Sequence, residues 1–469
     1  MKKDELLRNI RERRKLSTAD QLLLTVQLSL PAILAQISSI LMFYIDDAMV
    51  GSLGAHASAS VGLVATSMWL FWSIISCVAT GFSVQVAHLI GANELSKARS
   101  VFRQSILAAL AIAAATMLVG ALISSSLPRW LGGSEEIVQD SARYFRVFVL
   151  GAPVSMFYML GCSMLRCSGN MRIPSLASIL MCVLDIGFNF IAIFPTREIT
   201  LLGETILMPG LGWGVMGAAV GTLLAEALVG AYVCWYATCR CPVLSLLGEA
   251  GRFMPERQVL RKATDIAGPV FLQRVLMNAA QITITVIVAP LGAVAIAANA
   301  LAITAESVCY MPGYGIGEAA TTLVGQSFGA QRWRLTTRFA WMTTLLGIAV
   351  MTLMGVVMYV AAPLMMSTLS PDPAVRELGT ACLRIEAWAE PMFAASIVAM
   401  SVFIGAGDTR RPTMMNLFSM WFVRVTLAAL LAPRYGLQGV WFAMAVELTF
   451  RGLIFLLRMK WGKWYDKKK

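Results

Sequence analysis

The sequence is poor in charge, poor in histidine and without the phosphate-binding loop of ATPases, and each shortage removes a class of protein. Asp, Glu, Lys and Arg make up 14% of the 469 residues, against about 25% in an average soluble domain. A soluble chain must clothe its surface in polar groups, and one that is 58% hydrophobic has too few of them. Two histidines, His56 and His88, are too few for an H-E-x-x-H zinc site or a His-rich tract. No G-x-x-x-x-G-K-[ST] run occurs, so work done by this chain would draw on an ion gradient or on a separate subunit. No cofactor is expected, and no metal beyond a coupling Na+. The nine cysteines are an odd number scattered through apolar segments, where they serve as small hydrophobes. Cys239 and Cys241 flank Arg240 in a loop expected to face the reducing cytoplasm, where disulfides are disfavoured.

What is present is a series of long apolar runs. They fall at 21–45, 58–83, 104–127, 144–164, 173–195, 213–237, 263–289, 294–322, 339–362, 383–404, 413–432 and 438–457. Each is near the ~20 residues that cross a bilayer as a helix, so the expected fold class is an all-α polytopic membrane protein with twelve spans. The formal charge of +12 is then a matter of topology rather than of nucleic-acid binding. The two tails and the even-numbered loops hold 28 Lys and Arg, the odd-numbered loops with adjoining helix ends hold 7, and Arg274, Arg424 and Arg451 lie in spans. Lys and Arg collect on the cytoplasmic side, which puts both termini there, in a plasma (inner) membrane. The N-terminus has seven Lys or Arg by Lys15 and no apolar run directly after them, unlike a cleavable signal. Leu6, Leu7 and Ile10 give it one apolar side, as in a basic helix lying on the membrane surface.

The chain also repeats itself at a constant offset of 238. Pro31 recurs as Pro269, Leu53-Gly54-Ala55 as Leu291-Gly292-Ala293, Gly91-Ala92 as Gly329-Ala330, and Pro153 as Pro391. The run Gly169 to Pro174 recurs as Gly407 to Pro412. Beyond it the offset falls to 222, so the first half has about 16 extra residues around Thr196 to Gly212. Self-similarity of this kind fixes architecture. Six spans per repeat is an even number, so both repeats enter the membrane in one direction, as parallel repeats around a central cleft. The expected divisions are a basic cytoplasmic segment 1–20, an N-lobe 21–238, a cytoplasmic loop 239–262, a C-lobe 263–457 and a basic tail 458–469.

Ionisable groups at membrane depth are costly and mark functional candidates. The first half has Asp46 and Asp47 at the end of span 1, Asp185 in span 5 and Glu226 in span 6; the second has Arg274, Glu306, Glu318, Glu390, Arg424, Glu447 and Arg451. Asp185 and Asn189 are four apart and share one helix face, as do Thr222 and Glu226. A carboxylate, an amide oxygen and a hydroxyl suit a dehydrated Na+, or an Asp there can hold a proton; both tasks stay open. Asp46, Asp185, Asn189 and Thr222 are therefore the expected cation or proton site, which requires spans 1, 5 and 6 to meet. Glu306, Glu390, Glu447 and Arg274 are the second-lobe or cleft charges to consider next.

Three stretches carry a resemblance. Asp46-Asp47-Ala48-Met49-Val50-Gly51-Ser52-Leu53-Gly54-Ala55 resembles the end of span 1 in the MATE (multidrug and toxic compound extrusion) transporters. Leu323-Val324-Gly325-Gln326-Ser327-Phe328-Gly329-Ala330 is similar to the stretch after its span 8, and Gly217-Ala218-Ala219-Val220-Gly221-Thr222 to its span 6. The resemblance covers residues 20 to 460. It implies a six-plus-six bundle that exports amphipathic, often cationic compounds in exchange for H+ or Na+ by alternating access of two lobes. Asp46 then stands at the family's span 1 Asp and Thr222 at its span 6 Thr. The DinF-like branch commonly shows Asn and then Asp in span 5, whereas here Asp185 precedes Asn189. The span 7 Glu of the NorM-like branch has no counterpart after Pro269, where Leu276 and Met277 stand, so the chain sits nearer the DinF-like branch. The expected partners are small amphipathic cations and the lipid bilayer, with no nucleic acid, and the expected state is a monomer. A lipid-linked oligosaccharide flippase of the same superfamily is the alternative. More distant is an intramembrane aspartyl protease, because Gly405-Ala406-Gly407-Asp408 reads as G-x-G-D; a turn explains that motif better.

Overall fold

In hydrocarbon every backbone N–H and C=O must find its partner within the segment, which leaves the helix as the form an apolar run can take. The computed structural model describes residues 3–201, 204–247, 253–462 and 464. Lys2 of the basic N-terminal segment, residues 248–252 of the inter-lobe loop, and 463 and 465–469 of the basic tail lie outside the described residues. The helices are α1 (Lys3–Arg11), α2 (Thr18–Gly51), α3 (Ala55–Gly91), α4 (Leu95–Ile123), the short α5 (Leu127–Trp130), α6 (Glu135–Leu150), α7 (Ala152–Cys167) and α8 (Arg172–Ile193). After two strands, β1 (Pro195–Leu201) and β2 (Glu204–Leu211), come α9 (Gly214–Trp235), α10 (Arg257–Val288), α11 (Ala293–Gly329), α12 (Trp333–Leu369), α13 (Pro373–Ala387), α14 (Glu390–Ala406), α15 (Arg410–Phe418) and α16 (Thr426–Trp461).

Among the described residues, nine helices are long and apolar enough to cross a membrane, and two bent pairs make eleven. The stretch Arg410–Trp461 runs 52 residues and breaks at Gly436, whose φ of 60° and ψ of −143° are not helical. It is two spans, and the crossings number twelve. The architecture is the expected helical polytopic bundle of two six-span repeats, with one short β hairpin added.

The two bent pairs fall at equivalent places in the repeats. α6 and α7 meet at 47°, α13 and α14 at 60°. Pro153 and Pro391 stand in the first turn of α7 and α14. There the missing N–H costs nothing to the second helix, but the ring prevents the first helix from running through. The extra residues of the first repeat form the antiparallel pair β1–β2, with Pro195 opposite Leu211 and Leu201 opposite Glu204.

Contacts group the chain into two units. One contains residues 38–86 and 95–263, called here the N-terminal unit; the other contains 1–37, 87–94 and 264–469, the C-terminal unit. Inside the N-terminal unit α8 packs on α9 through Gly217 and Gly221. A Cβ on Gly217 would strike the Ala192 carbonyl, and one on Gly221 would strike Asn189. Small residues four apart let two membrane helices approach backbone to backbone. Inside the C-terminal unit α11 packs on α12 and α14, with Gly405 against the backbone of Thr321.

Helix α1 is amphipathic, as its spacing requires, but protein rather than lipid covers its apolar side. Leu6, Leu7 and Ile10 are buried against α11. At the end of the helix the Asn9 carbonyl accepts from the Arg14 N–H at 3.0 Å and from Arg332 Nη1 at 3.1 Å. The surface-lying helix expected from the sequence is thus a docked one.

Candidate functional site

Three helices of the N-terminal unit bring four of the expected residues together. Asn189 Nδ2 donates to Asp46 Oδ1 at 2.9 Å and to Asp185 Oδ2 at 3.1 Å, and stands 3.5 Å from Thr222 Oγ1. Asp46 and Asp185 lie close enough to feel one another's charge, with Thr222 beside Asp185. Asp185 and Asn189 are fully buried; Asp46 and Thr222 are partly covered and Asp47 is exposed. The one-turn spacing on α8 puts Asp185 and Asn189 on the face that meets α9. Gly221 then allows Asn189 close enough to α9 to touch its neighbour Thr222.

The donor and acceptor balance of this cluster is uneven. Asp185 Oδ1 and Asn189 Oδ1 are buried acceptors with no hydrogen-bond partner among the described residues. Two facing carboxylates repel unless a proton or a cation lies between them. Unpaired oxygens and facing acids fit a hard cation or a shared proton. One turn further along α9, Glu226 is buried and accepts from Ser155 Oγ at 2.5 Å. Tyr144 on α6 lies close enough to Asp46, Asp47 and Asp185 to feel their charge. Sequence reasoning overlooked Tyr144 and Ser155, since neither stands at a helical spacing from the acids.

The C-terminal unit holds a second group of buried acids. Glu306 on α11 and Glu386 on α13 face one another, with Glu390 beside Glu306 and Arg424 near both Glu306 and Glu386. No donor among the described residues reaches the oxygens of Glu386 or Glu390. Glu386 was missed in the sequence, although it lies four residues before Glu390. Glu447 is differently placed: Arg451 grips it with Nε at 3.0 Å and Nη2 at 3.1 Å, and Ser419 Oγ donates at 2.5 Å. That carboxylate is fully partnered. Arg424 contacts Met444 Sδ and lies near enough to Glu447 to feel its charge, without forming an ion pair with it. Arg274 is exposed on α10 and pairs with no carboxylate among the described residues. Gly407 closes α14 with a left-handed φ of 77° and Asp408 pairs with Arg458, so the G-x-G-D run is a helix cap.

Twelve crossings in two six-span repeats, with acids buried inside each unit, fit the class of membrane transporters. The chain belongs to the MatE family, whose model matches residues 31–191 and again 269–430. The two matches start 238 residues apart, at the two prolines that open the internal repeat. The chain is 25% identical over 448 residues to a probable multidrug resistance protein NorM of Thermotoga maritima, covering 94% of this chain and 92% of that one. It is 24% identical over 435 residues to the probable NorM of Neisseria meningitidis serogroup B, covering 92% of each. A crystal structure of MATE in the straight conformation superposes with a TM-score of 0.86 at 20% identity, over 98% of both chains.

Proposed function

We propose that the protein is a secondary active multidrug exporter of the inner membrane. It exchanges amphipathic, often cationic compounds for H+ or Na+ by alternating access of its two lobes. In this reading it works as a monomer with both termini in the cytoplasm, and its lobes are the divisions 21–238 and 263–457. The observation that carries the reading is the meeting of Asp46, Asp185, Asn189 and Thr222 from three separate helices. Nothing in packing requires two acids to be driven together there, and their cost at membrane depth is several kcal/mol in order of magnitude. The probable multidrug resistance proteins of T. maritima and N. meningitidis, similar over nearly the whole chain, support the substrate class.

Asp46 and Asp185 supply the negative charge for the coupling ion. Asn189 orients both carboxylates through its Nδ2 and offers its free Oδ1, and Thr222 offers a hydroxyl oxygen. An ion held by these groups ties α2, α8 and α9 into one arrangement. Coupling follows if that arrangement binds the ion better than the alternative does, since a ligand that binds both states equally shifts neither. Lipophilic cations suit an acidic, apolar lobe because opposite charge offsets part of their desolvation. The facing acids Glu306, Glu386 and Glu390 supply a second place where a cation could be held, and the same experiment weighs them.

The test is transport of a fluorescent lipophilic cation in proteoliposomes, with Na+ and H+ gradients imposed separately. Export driven by one gradient and lost in Asp185→Asn supports the site. Restored translocation of a lipid-linked sugar with no dye export would make the protein a flippase.

A further inference from the structure

The 60° bend between α13 and α14 leaves a slot on the C-terminal unit that the function above does not use. It is an open groove of about 590 Å³ between α12, the bend and α16, walled by Tyr359, Trp388, Phe442, Val446 and Thr449 with Arg384 at one end. Arg384 also lines a second recess of about 560 Å³, bounded by Pro363, Arg376 and Glu377. The two recesses form one track running towards the start of α13.

The walls are apolar and turned outwards. Trp388 is 79% exposed and Phe442 54%, as expected for side chains that meet lipid tails. Arg384 is out of place among them. It is exposed, its guanidinium lies 5.4 Å from the Tyr359 ring centre, and its Nε donates to the Tyr359 carbonyl at 3.4 Å. Among the described residues no carboxylate pairs with it, whereas the span cation Arg451 holds Glu447. Arg376, two turns nearer the start of α13, is anchored by its Nε on the Ser370 carbonyl at 2.5 Å. Glu377 stands beside it, so the lining residues of the track carry a net charge of +1. Cations are scarce on this side of the chain, with 7 of the 38 Lys and Arg, yet two of them line one track.

An unpaired guanidinium turned towards lipid is costly unless an anion reaches it. Arginine forms forked, charge-assisted bonds to phosphate oxygens, and a cation over an aromatic face is held ready for one. We infer that this track is a binding site for one anionic phospholipid of the surrounding bilayer. Its phosphate meets Arg384, with Arg376 on the approach from the membrane surface, and one acyl chain lies along Trp388, Phe442 and Val446. A zwitterionic lipid carries its own cation to compete for the phosphate, so the site selects lipids with net negative charge.

The test uses the full chain reconstituted in vesicles containing phosphatidylglycerol or phosphatidylcholine with brominated acyl chains, which quench tryptophan on contact. The difference between the wild type and Trp388→Phe isolates the quenching of Trp388. Brominated phosphatidylglycerol should quench Trp388 at a lower mole fraction than brominated phosphatidylcholine. Arg384→Gln should weaken that preference about fivefold, while Arg384→Lys should keep most of it and serves as the folding control. Equal quenching by the two lipids in the wild type would overturn the assignment, as would a preference unchanged in Arg384→Gln/Arg376→Gln. Displacement of brominated phosphatidylglycerol by a transported cation would also overturn it, by making the groove a substrate portal.

Discussion

Asn189 is the residue on which the N-terminal cluster turns, because one amide bridges two acids from different helices. Removing either acid leaves the amide in place but takes away half of the negative charge that a cation or proton requires. Asp185→Asn is expected to abolish gradient-driven export while leaving binding of a fluorescent drug within about twofold, read by equilibrium titration. Asp46→Asn should behave in the same way; normal transport by both variants under both gradients would move the site to Glu306, Glu386 and Glu390. Thr222→Ala removes one neutral ligand, worth roughly 1 kcal/mol, so ion affinity should fall about fivefold with transport retained. Gly221→Val should instead prevent assembly of α8 on α9, since the added carbons would occupy the place of Asn189; loss of a monodisperse peak in size-exclusion chromatography is the readout. The pairing of Asp185 with Asn189 was legible from their one-turn spacing, and Asp46 from the span 1 resemblance. Gly217 and Gly221, four apart, mark a close helix contact in the sequence, but not that Asn189 is the residue Gly221 admits. Glu386 lies in the apolar run 383–404, four residues before Glu390, but its closeness to Glu306 on another helix is what the sequence does not show.

Helix α1 illustrates what periodicity can and cannot say about an element. Its spacing announces one buried side, but not the surface that buries it. Exchange of Leu6 and Ile10 for Ala should weaken the docking by several kcal/mol in order of magnitude. Trypsin should then cut after Arg13 and Arg14 at least tenfold faster than in the wild type, in purified protein followed by mass spectrometry. An unchanged cleavage rate would show that α1 is held by something other than these side chains. The two bent spans were equally half-visible. Pro153 and Pro391 stood out as partners in the repeat, yet a proline is tolerated inside membrane helices. Pro31 and Pro269 show that outcome, each lying within one continuous helix, α2 or α10. What separates the cases is position: Pro153 and Pro391 begin a helix, whereas the others sit in the body of one. The insertion was visible as a length difference, and its hairpin form was not, since neither strand has a strong alternating pattern.

At the scale of the whole molecule the repeat was the most legible feature, because a constant offset over 140 residues survives any uncertainty in helix ends. It extends even to helix starts: Ser134 and Asp372, 238 apart, are the N-caps of α6 and α13. The charge distribution makes a testable statement about sidedness. In a cysteine-free background, single cysteines near Ser134, Thr200 and Asp372 should label from outside intact cells, and those near Lys97, Arg257 and Arg332 should not. Labelling at Arg257 from outside would overturn the proposed orientation. The bent spans bear on how such a chain enters the membrane at all. α6 carries Glu135, Glu136, Asp140, Arg143 and Arg146, and α13 carries Arg376, Glu377, Arg384 and Glu386. The apolar run of the fourth crossing, 144–164, keeps only Arg146, whereas that of the tenth, 383–404, keeps Arg384, Glu386 and Glu390, and each such charge counts against insertion of a segment on its own. The tenth crossing is therefore the one whose insertion is expected to lean most on neighbours already in the bilayer. That moment of synthesis is where an incomplete chain is expected to be most open to membrane proteases and quality control.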